Sequence, residues 1–404
     1  MSKAGTPHRV EAMNLAADKA AGPATGTPMT LDDLLTPALV LDAARLRDNA
    51  QRMRERAEAL GVALRPHMKT AKSAEVAEVA LASAKGKSTG GVTVATLREA
   101  EYFLDHGFRD VTYAVCIVPQ KLGPVAALTA KGADLKILTD DTDVASAIAG
   151  DGRPFKVLIE IDCGEHRTGV APDSPRLLDI AKVLVAGANV TVAGVLTHAG
   201  HSYQCRTPAE MAKIAEDERA AAVAAAARLR HAGFACPTVS VGSTPTARFA
   251  KSLEGVTEMR PGVYLLGDLY QAGIGTCGVT DIAASVLASV IAHRRGENAL
   301  LIDAGGLALS KDRATQALPD DQGYGLVCDI RTGTPFSGVK VTSVHQEHGH
   351  VTADTLLPFE KLPVGAKVRV LPNHVCMTAA AYDAFHVIDG GGRITATWDR
   401  CHGW

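Results

Sequence analysis

The stretch Val62-Ala63-Leu64-Arg65-Pro66-His67-Met68-Lys69-Thr70 follows a long helical pattern and begins with a short apolar run. An apolar run of this length between helical patterns predicts a buried strand, and it places Lys69 just past the end of that strand. A lysine there points into a site, where desolvation can keep its amine neutral and able to attack an aldehyde. We therefore interpret Lys69 as a candidate Schiff-base lysine. An ordinary surface lysine at a strand end is the alternative, which this stretch alone does not exclude.

Strand-like and helical patterns alternate from residue 43 to about residue 265. Helices are predicted at residues 42–60, 73–84, 97–106 and 208–231. Eight strands are predicted at residues 62–66, 91–95, 111–116, 134–138, 156–162, 190–197, 238–241 and 258–265. This count and spacing predict an α/β protein with a (β/α)8 TIM-like barrel. A doubly wound sheet would show fewer strands and a glycine-rich first turn, and the sequence has neither.

The pattern changes after about residue 275 to short β segments separated by Gly, Pro and Asp turns. These segments are residues 286–291, 299–303, 325–328, 339–344, 366–371, 385–388 and 394–398, and they predict a second, mostly β domain. Residues 37–41 also form a strand pattern, which is a candidate to pair with that domain. We expect a flexible N-terminal arm at residues 1–33, a barrel at residues 34–270 and a C-terminal β domain at residues 271–404.

Composition narrows the classes of partner. The 404 residues are 47% hydrophobic and carry a formal net charge of −2, which gives no sign of a nucleic-acid partner. The sequence has no apolar run long enough to span a bilayer, and its first thirty residues lack the apolar segment of a secretory signal. Eight scattered cysteines without a Cys-x-x-Cys motif favour a reducing, cytoplasmic compartment.

Candidate site residues follow the ends of the predicted strands, which form the active face of a barrel. The loop after the seventh strand offers backbone N–H groups and hydroxyls to a phosphate, although the same residue types also make helix caps and turns. Arg167 could hold a bound pyridine, or it could only form a surface pair with Glu165. The residues His198, His201 and Tyr203 after the sixth strand could take part in the site or could be ordinary hydrogen-bonded residues. The candidate cofactor-binding residues are His67, Lys69, Arg167, His198, Tyr203, Gly242, Ser243, Thr244, Gly262 and Tyr264.

A candidate metal site lies in the β domain, in Leu371-Pro372-Asn373-His374-Val375-Cys376. On a strand, His374 and Cys376 would share one face, because side chains alternate with a period of two. Imidazole and thiolate together suit zinc or a similar divalent metal, and two protein ligands leave positions open for substrate. Glu347 lies upstream in a polar loop and is a candidate supporting group. A buried cysteine beside an unrelated histidine is the alternative.

Together these motifs resemble those of the fold-type III pyridoxal-phosphate (PLP) enzymes, the alanine racemase-like barrels. The resemblance covers about residues 35–404 and rests on Lys69, Arg167, Gly242-Ser243-Thr244 and the run Arg260-Pro261-Gly262-Val263-Tyr264. Within that group, the Arg-Pro-His-x-Lys-Thr motif and the metal pair are similar to those of the D-serine dehydratase and D-threonine aldolase family. The resemblance implies PLP on Lys69, a divalent metal at His374 and Cys376 (zinc favoured over manganese, magnesium or cobalt) and a homodimer.

The resemblance also implies a lyase that acts on a small D-β-hydroxy amino acid. Aldolases of this family typically have a His-Cys-Asp run, whereas His374-x-Cys376 is similar to the D-serine and D-threo-3-hydroxyaspartate dehydratases. We therefore expect elimination of water to give an oxo acid and ammonia. The alternatives are aldolase cleavage to glycine and an aldehyde, and a racemase that uses Tyr324 or Tyr382 as second base and leaves the metal pair without a role. A non-catalytic PLP-binding barrel would lack the β domain, and a metal-dependent hydrolase would lack PLP.

Overall fold

Strands and helices alternate through the first part of the chain in the computed structural model, which describes residues 29–82 and 90–404. The strands are β1 (Ala38–Asp42), β2 (Ala63–Leu64), β3 (Val92–Val94), β4 (Asp110–Cys116), β5 (Asp134–Thr139), β6 (Phe155–Ile161), β7 (Val190–Thr197), β8 (Thr238–Val241) and β9 (Glu258–Met259). The helices are α1 (Ala43–Ala59), α2 (Ala74–Leu81), α3 (Leu97–Asp105), α4 (Leu122–Ala130), α5 (Thr142–Gly150), α6 (Arg176–Ala186), α7 (Pro208–His231), α8 (Thr244–Phe249) and α9 (Leu269–Gly273).

Strands β2 to β9 are parallel and form one sheet in the order β2-β9-β8-β7-β6-β5-β4-β3. His67, just after β2, makes a parallel bridge with Thr93 in β3, so the two ends of the sheet meet. Most of the Val, Leu and Ile side chains in these strands are buried, as expected where helices cover a parallel sheet. The predicted (β/α)8 barrel is confirmed.

The first and last barrel strands are shorter than predicted. Each has only two residues, Ala63–Leu64 and Glu258–Met259, where the sequence predicted 62–66 and 258–265. Pro66 and Pro261 lack the N–H that a longer ladder needs, and Val263–Leu265 turn into a 3-10 helix. The segment from Arg260 to Tyr264 therefore lies in the turn after β9 rather than on the strand.

Helix α1 shows why the sequence pattern succeeded for the helices. The carboxylate of Asp42 accepts hydrogen bonds from the N–H groups of Ala44 and Arg45, at 3.0 and 3.1 Å, and so caps the helix. Its apolar stripe, which includes Leu46 and Met53, is buried. The start and end of α7 coincide with the predicted bounds 208–231, whereas α2 ends at Leu81 and residues 83–84 of its prediction lie outside the described residues.

The C-terminal part is mostly β, as predicted. Its elements are β10 (Ala284–Arg294), β11 (Ala299–Ile302), α10 (Gly306–Leu309), β12 (Gly325–Cys328), β13 (Pro335–Val344), β14 (Gly349–Ala353), β15 (Lys367–Pro372), α11 (Val375–Ala379), β16 (Ala384–Ile388) and β17 (Ile394–Asp399). Strand β14 was missed by the sequence analysis. The strand pattern at 37–41 corresponds to β1, which pairs with β10 and β16 inside this nine-stranded sheet. The first strand of the described residues therefore completes the C-terminal domain.

Residues 1–28 of the predicted flexible arm lie outside the described residues. The rest of the arm packs on the β sheet: Leu31 is buried, and its N–H donates to the carbonyl of Gly392 at 3.1 Å. Within the described residues, none of the helices combines the length and apolarity needed to cross a membrane.

Candidate active site

Lys69 lies in the turn between β2 and α2, at the end of the barrel where the parallel strands finish. Its backbone N–H donates to Nδ1 of His67 at 3.4 Å, and the N–H of His67 donates to the carbonyl of Pro261 at 3.0 Å. The turn is thereby tied to the segment after β9. The Lys69 side chain is exposed, so protein atoms alone do not supply the desolvation expected from the sequence.

Two histidines near Lys69 are held neutral. Burial, together with the positive charges of Lys69, Arg260 and Arg167, lowers the pKa of His198 to about 3, although a hydrogen bond with Gly242 raises it. Burial and the same charges hold the pKa of His67 well below its ordinary value. These mutual effects show that residues from four different strand ends converge on one region.

The loop after β8 makes a close turn that requires glycine. Gly242 has a φ of +122°, and a Cβ there would lie 2.8 Å from the backbone nitrogen of Arg260. Its carbonyl accepts a hydrogen bond from Nδ1 of His198 at 3.0 Å, and its N–H donates to the buried carboxylate of Glu218 at 3.1 Å. Ser243 then caps α8 by accepting from the N–H of Thr246 at 3.2 Å. The Ser243 side chain therefore acts as a helix cap, which was the alternative to binding a phosphate.

Two buried hydroxyls beside this loop have no hydrogen-bond partner among the described residues, Oγ1 of Thr244 and the phenol of Tyr264. Both residues line one cavity of about 40 Å³, and Arg56 and Arg248 form other parts of its wall. Gly262 packs so closely on the Lys69 turn that a Cβ would lie 2.4 Å from the carbonyl oxygen of His67. Buried unsatisfied hydroxyls are costly, and a bound anion would satisfy them.

Tyr203 contacts the loop after β8, whereas Arg167 lies at the surface. The N–H of Thr244 donates to the phenol of Tyr203 at 3.5 Å, which brings Tyr203 to the loop after β8. Arg167 is exposed and pairs with Glu165 at 3.4 Å, the surface contact weighed as its alternative. Its charge nevertheless lowers the pKa of His67 and His198, so it stands at the rim of the same region.

The sequence predicted that the candidate metal pair lies on a strand, but the structure places it elsewhere. Strand β15 ends at Pro372, and His374 is the N-cap of the short helix α11, which contains Cys376. Both residues therefore belong to the start of one short helix, where they lie two positions apart. The start of α11, rather than the two-residue period of a strand, therefore sets the relative positions of His374 and Cys376.

Asp312 orients His374. Nδ1 of His374 donates to Oδ2 of Asp312 at 2.7 Å, which leaves Nε2 as the ring nitrogen available to a metal. Burial lowers the pKa of His374, but the hydrogen bond and charge of Cys376, the charge of Asp268 and the bond to Asp312 outweigh it and raise that pKa to about 10. An environment that favours a cation on His374 also favours a divalent metal.

Asp312 and Asp268 were missed by the sequence analysis. Asp268 is buried and accepts from the N–H groups of Gln271 and Val375, at 2.7 and 3.0 Å, so it holds the start of α11. Both acids lie far from His374 in sequence, and no local motif marks them. Glu347, which the sequence suggested as a supporting group, is exposed and accepts a bond from Gln346, whereas Asp312 bonds His374.

A direct side-chain contact joins the two centres. Oγ1 of Thr70, the residue after Lys69, lies 3.1 Å from Sγ of Cys376. The barrel turn and the β-domain helix therefore face each other across the mouth of the barrel. Among residues 29–82 and 90–404, no group of three or more His, Cys, Asp and Glu side chains is arranged to hold a metal.

The residues fit both groups that the motifs imply. The unpartnered buried hydroxyls of Thr244 and Tyr264 suit a phosphate. An oriented imidazole beside a thiol suits a divalent metal such as zinc.

Comparisons with known proteins agree with this geometry. A sequence profile described as "Alanine racemase, N-terminal domain" matches residues 41–270, and one described as "Putative serine dehydratase domain" matches residues 283–388. D-threo-3-hydroxyaspartate dehydratase of Delftia sp. (strain HT23) is 45% identical over 387 residues, which are 94% of this chain and 99% of that protein. D-serine dehydratase of Dictyostelium discoideum is 32% identical over 396 residues, which are 93% of this chain and 98% of that protein.

A solved structure extends the comparison to three dimensions. A cysteine-to-alanine variant of D-threo-3-hydroxyaspartate dehydratase, in its metal-free form, superposes with a TM-score of 0.89 at 43% identity, over 93% of this chain and 100% of that chain. The chain therefore belongs to the alanine racemase-like family of fold type III, within the group of the D-serine dehydratases and D-threonine aldolases, as its motifs indicate.

Proposed function

We propose that this chain is a lyase that depends on PLP and a divalent metal and eliminates water from a small D-β-hydroxy amino acid. The products are an oxo acid and ammonia. The contact of 3.1 Å between Thr70 and Cys376 carries the proposal, because Thr70 follows Lys69 in the chain and Cys376 belongs to the proposed metal pair. The relatives that are 45% and 32% identical are both dehydratases of amino acids of this class.

Each group has a place among the residues of this chain. Lys69 would carry PLP, with Gly242, Thr244 and Gly262 around its phosphate, and His374 and Cys376 would hold the metal. When bound, PLP draws electrons from the bonds at Cα and the metal acts as a Lewis acid on the β-hydroxyl. Arg167, His67, His198, Ser243, Tyr203 and Tyr264 complete the proposed cofactor site.

The chain's own groups supply the proton chemistry. Once the substrate's amine has displaced it from PLP, the amine of Lys69 would take the α-proton, and the β-hydroxyl would leave on the side of His374 and Cys376 and take up a proton to become water. His198 and His67 stay neutral near neutral pH because burial and nearby cations lower their pKa, so they add no competing positive charge at this mouth. The released enamine then takes up water and gives an oxo acid and ammonia.

Finer features belong to the same proposal. Zinc is the proposed metal because a thiolate ligand favours it. A variant of the relative D-threo-3-hydroxyaspartate dehydratase is described in a metal-free form, which implies that this relative can also hold a metal. We also propose a cytoplasmic homodimer, since the eight cysteines, all within the described residues, are free thiols and the family resemblance implies a dimer. The barrel at residues 34–270 would then carry PLP and residues 271–404 the metal, with β1 contributed to the β sheet.

The test is a substrate comparison with the protein loaded with PLP. D-serine, D-threonine and D-threo-3-hydroxyaspartate are each supplied with and without a chelator, and Zn²⁺ is then added back. Chelator-sensitive release of oxo acid and ammonia supports the dehydratase, whereas glycine plus an aldehyde would assign the chain to the aldolases. A protein that binds no PLP and gives neither product pair would overturn the proposal.

A further inference from the structure

Arg400, directly after β17, is a buried cation with only 6% of its surface exposed. Its guanidinium donates to the carbonyls of Ala71 at 3.0 Å, Thr70 at 3.1 Å and Tyr382 at 2.6 Å, and also to the carbonyl of Ala379. Its charge stacks over the ring of Phe385 with 5.0 Å between Cζ and the ring centroid. One side chain near the end of the chain thus binds four backbone carbonyls.

The four carbonyls belong to two separate elements. Thr70 and Ala71 continue the turn that contains Lys69, and Ala379 and Tyr382 lie at and after the end of α11, the helix of Cys376. Arg400 therefore bonds the barrel turn and the metal helix at the same time. Thr70 is held from both sides, because its carbonyl accepts from Arg400 while its hydroxyl contacts Cys376 at 3.1 Å.

The neighbouring residue strengthens the same junction. The N–H of Cys401 donates to the carbonyl of Lys72 at 2.7 Å, and the N–H of Arg400 donates to the carbonyl of Asp383 at 2.8 Å. The chain after β17 thus runs between the Lys69 turn and the segment after α11, and bonds to each.

Arginine is well suited to this position. Its planar group presents five donors in a fixed fork, which can serve carbonyls on two elements at once, whereas lysine has three donors on a flexible stem. Buried carbonyls need partners, so each bond also removes a desolvation cost.

We propose that Arg400 is a positioning residue that sets the distance between Lys69 and the pair His374–Cys376. The inference rests on the proposed function, because it treats those residues as the cofactor lysine and the metal pair. Arg400 contacts neither group itself. It acts through Thr70 and through α11, so its loss should loosen the metal site and misplace the leaving hydroxyl while leaving PLP on Lys69.

The experiment compares Arg400→Lys with Arg369→Lys in the protein loaded with PLP. Arg369 is equally buried in the β sheet and bonds Ser285 at 2.9 Å, within the β sheet and away from the barrel turn. Visible absorbance measures PLP, competition with a chromophoric chelator measures Zn²⁺ affinity, and kcat and KM are taken at saturating Zn²⁺. We expect Arg400→Lys to keep its PLP absorbance, to bind Zn²⁺ about 10-fold or more weakly and to lose kcat more than KM, and Arg369→Lys to keep the parental Zn²⁺ affinity.

Parental Zn²⁺ affinity and kcat in a folded Arg400→Lys variant would overturn the inference. If Arg400→Lys gives no folded protein, Thr70→Val decides, because it removes the hydroxyl at Cys376 and keeps the carbonyl that Arg400 binds. Parental Zn²⁺ affinity in Thr70→Val would then overturn the inference. A parent protein that binds neither PLP nor Zn²⁺ would instead overturn the proposed function, so the two failures are distinguishable.

Discussion

The carboxylate of Asp312 accepts a hydrogen bond from Nδ1 of His374 at 2.7 Å, although 62 residues separate the two in sequence. The bond fixes the ring orientation of His374 and makes its other nitrogen a better ligand. A metal held by so few protein side chains depends strongly on how each of them is oriented.

The first prediction follows from this bond. Asp312→Asn keeps the size of the side chain but removes its charge, so we expect Zn²⁺ affinity to fall by about 10- to 100-fold. Chelator competition on the PLP-loaded protein measures the effect. Asp320→Asn is the matched control, because Asp320 is an exposed carboxylate in the same stretch of chain. Equal affinities in the two variants would show that Asp312 does not support the metal site.

Lys69 is the subject of the second prediction. Its side chain is exposed, so Lys69→Ala should leave the free energy of unfolding of the PLP-free protein within about 0.5 kcal/mol of the parent. The same change should abolish both the covalently held PLP, measured by borohydride reduction and mass spectrometry, and the elimination activity. Retention of a reducible link to PLP after the substitution would assign the cofactor to another lysine.

The third prediction concerns the turn after β8. Gly242 has a φ of +122° and no room for a Cβ, so Gly242→Ala should lower the free energy of unfolding by about 3 kcal/mol or more and weaken PLP binding. Gly233 also has a positive φ, +88°, but nothing lies within 4 Å of its Cβ position. Gly233→Ala should therefore cost about 1–2 kcal/mol and leave PLP affinity unchanged. Denaturant unfolding and PLP titration of both variants check the comparison.

Acid stability provides the fourth prediction. The pKa of His198 is about 3 in the folded protein and 6.5 in an ordinary histidine, so between these values the unfolded chain binds one more proton at this site. Stability therefore falls as pH falls through this window, and above pH 6.5 His198 contributes no pH dependence. His198→Asn should flatten the slope of unfolding free energy against pH by up to about 1.4 kcal/mol per pH unit.

Urea unfolding of the parent and of His198→Asn at several pH values within that window measures the slope. His106→Asn is a control for the general effect of removing a histidine, because His106 is exposed at the end of α3. Parallel pH profiles for the parent and His198→Asn would show that His198 is not held neutral by its surroundings.

The barrel could be predicted from the sequence because its signals are local. Apolar runs and helical stripes repeat along the chain, and caps such as Asp42 and Thr207 mark helix starts. The ends of two strands were predicted less well, because Pro66 and Pro261 stop strands whose apolar patterns continue beyond them.

The site was predictable only in part. Lys69 and the pair His374–Cys376 carry local motifs, but the acids that support His374 and the cation that joins the two centres do not. Arg400 is 330 residues from Thr70, and no periodicity relates residues so far apart. The prediction that His374 lies on a strand was wrong, because β15 ends at Pro372 and α11 starts directly after His374.

Strand β1 pairs with β10 on one side and β16 on the other, so a segment made before the barrel occupies the interior of a sheet whose other strands are made after the barrel. Along the chain, the whole barrel lies between β1 and its two partner strands. The pairing is therefore highly non-local and should form slowly. The nascent N-terminal strand must wait unpaired for both neighbours, and a fragment that contains only the C-terminal domain would expose two open edges in place of β1. Such edges bind strands of other chains, so the separated domain should aggregate unless a peptide of residues 38–42 is supplied.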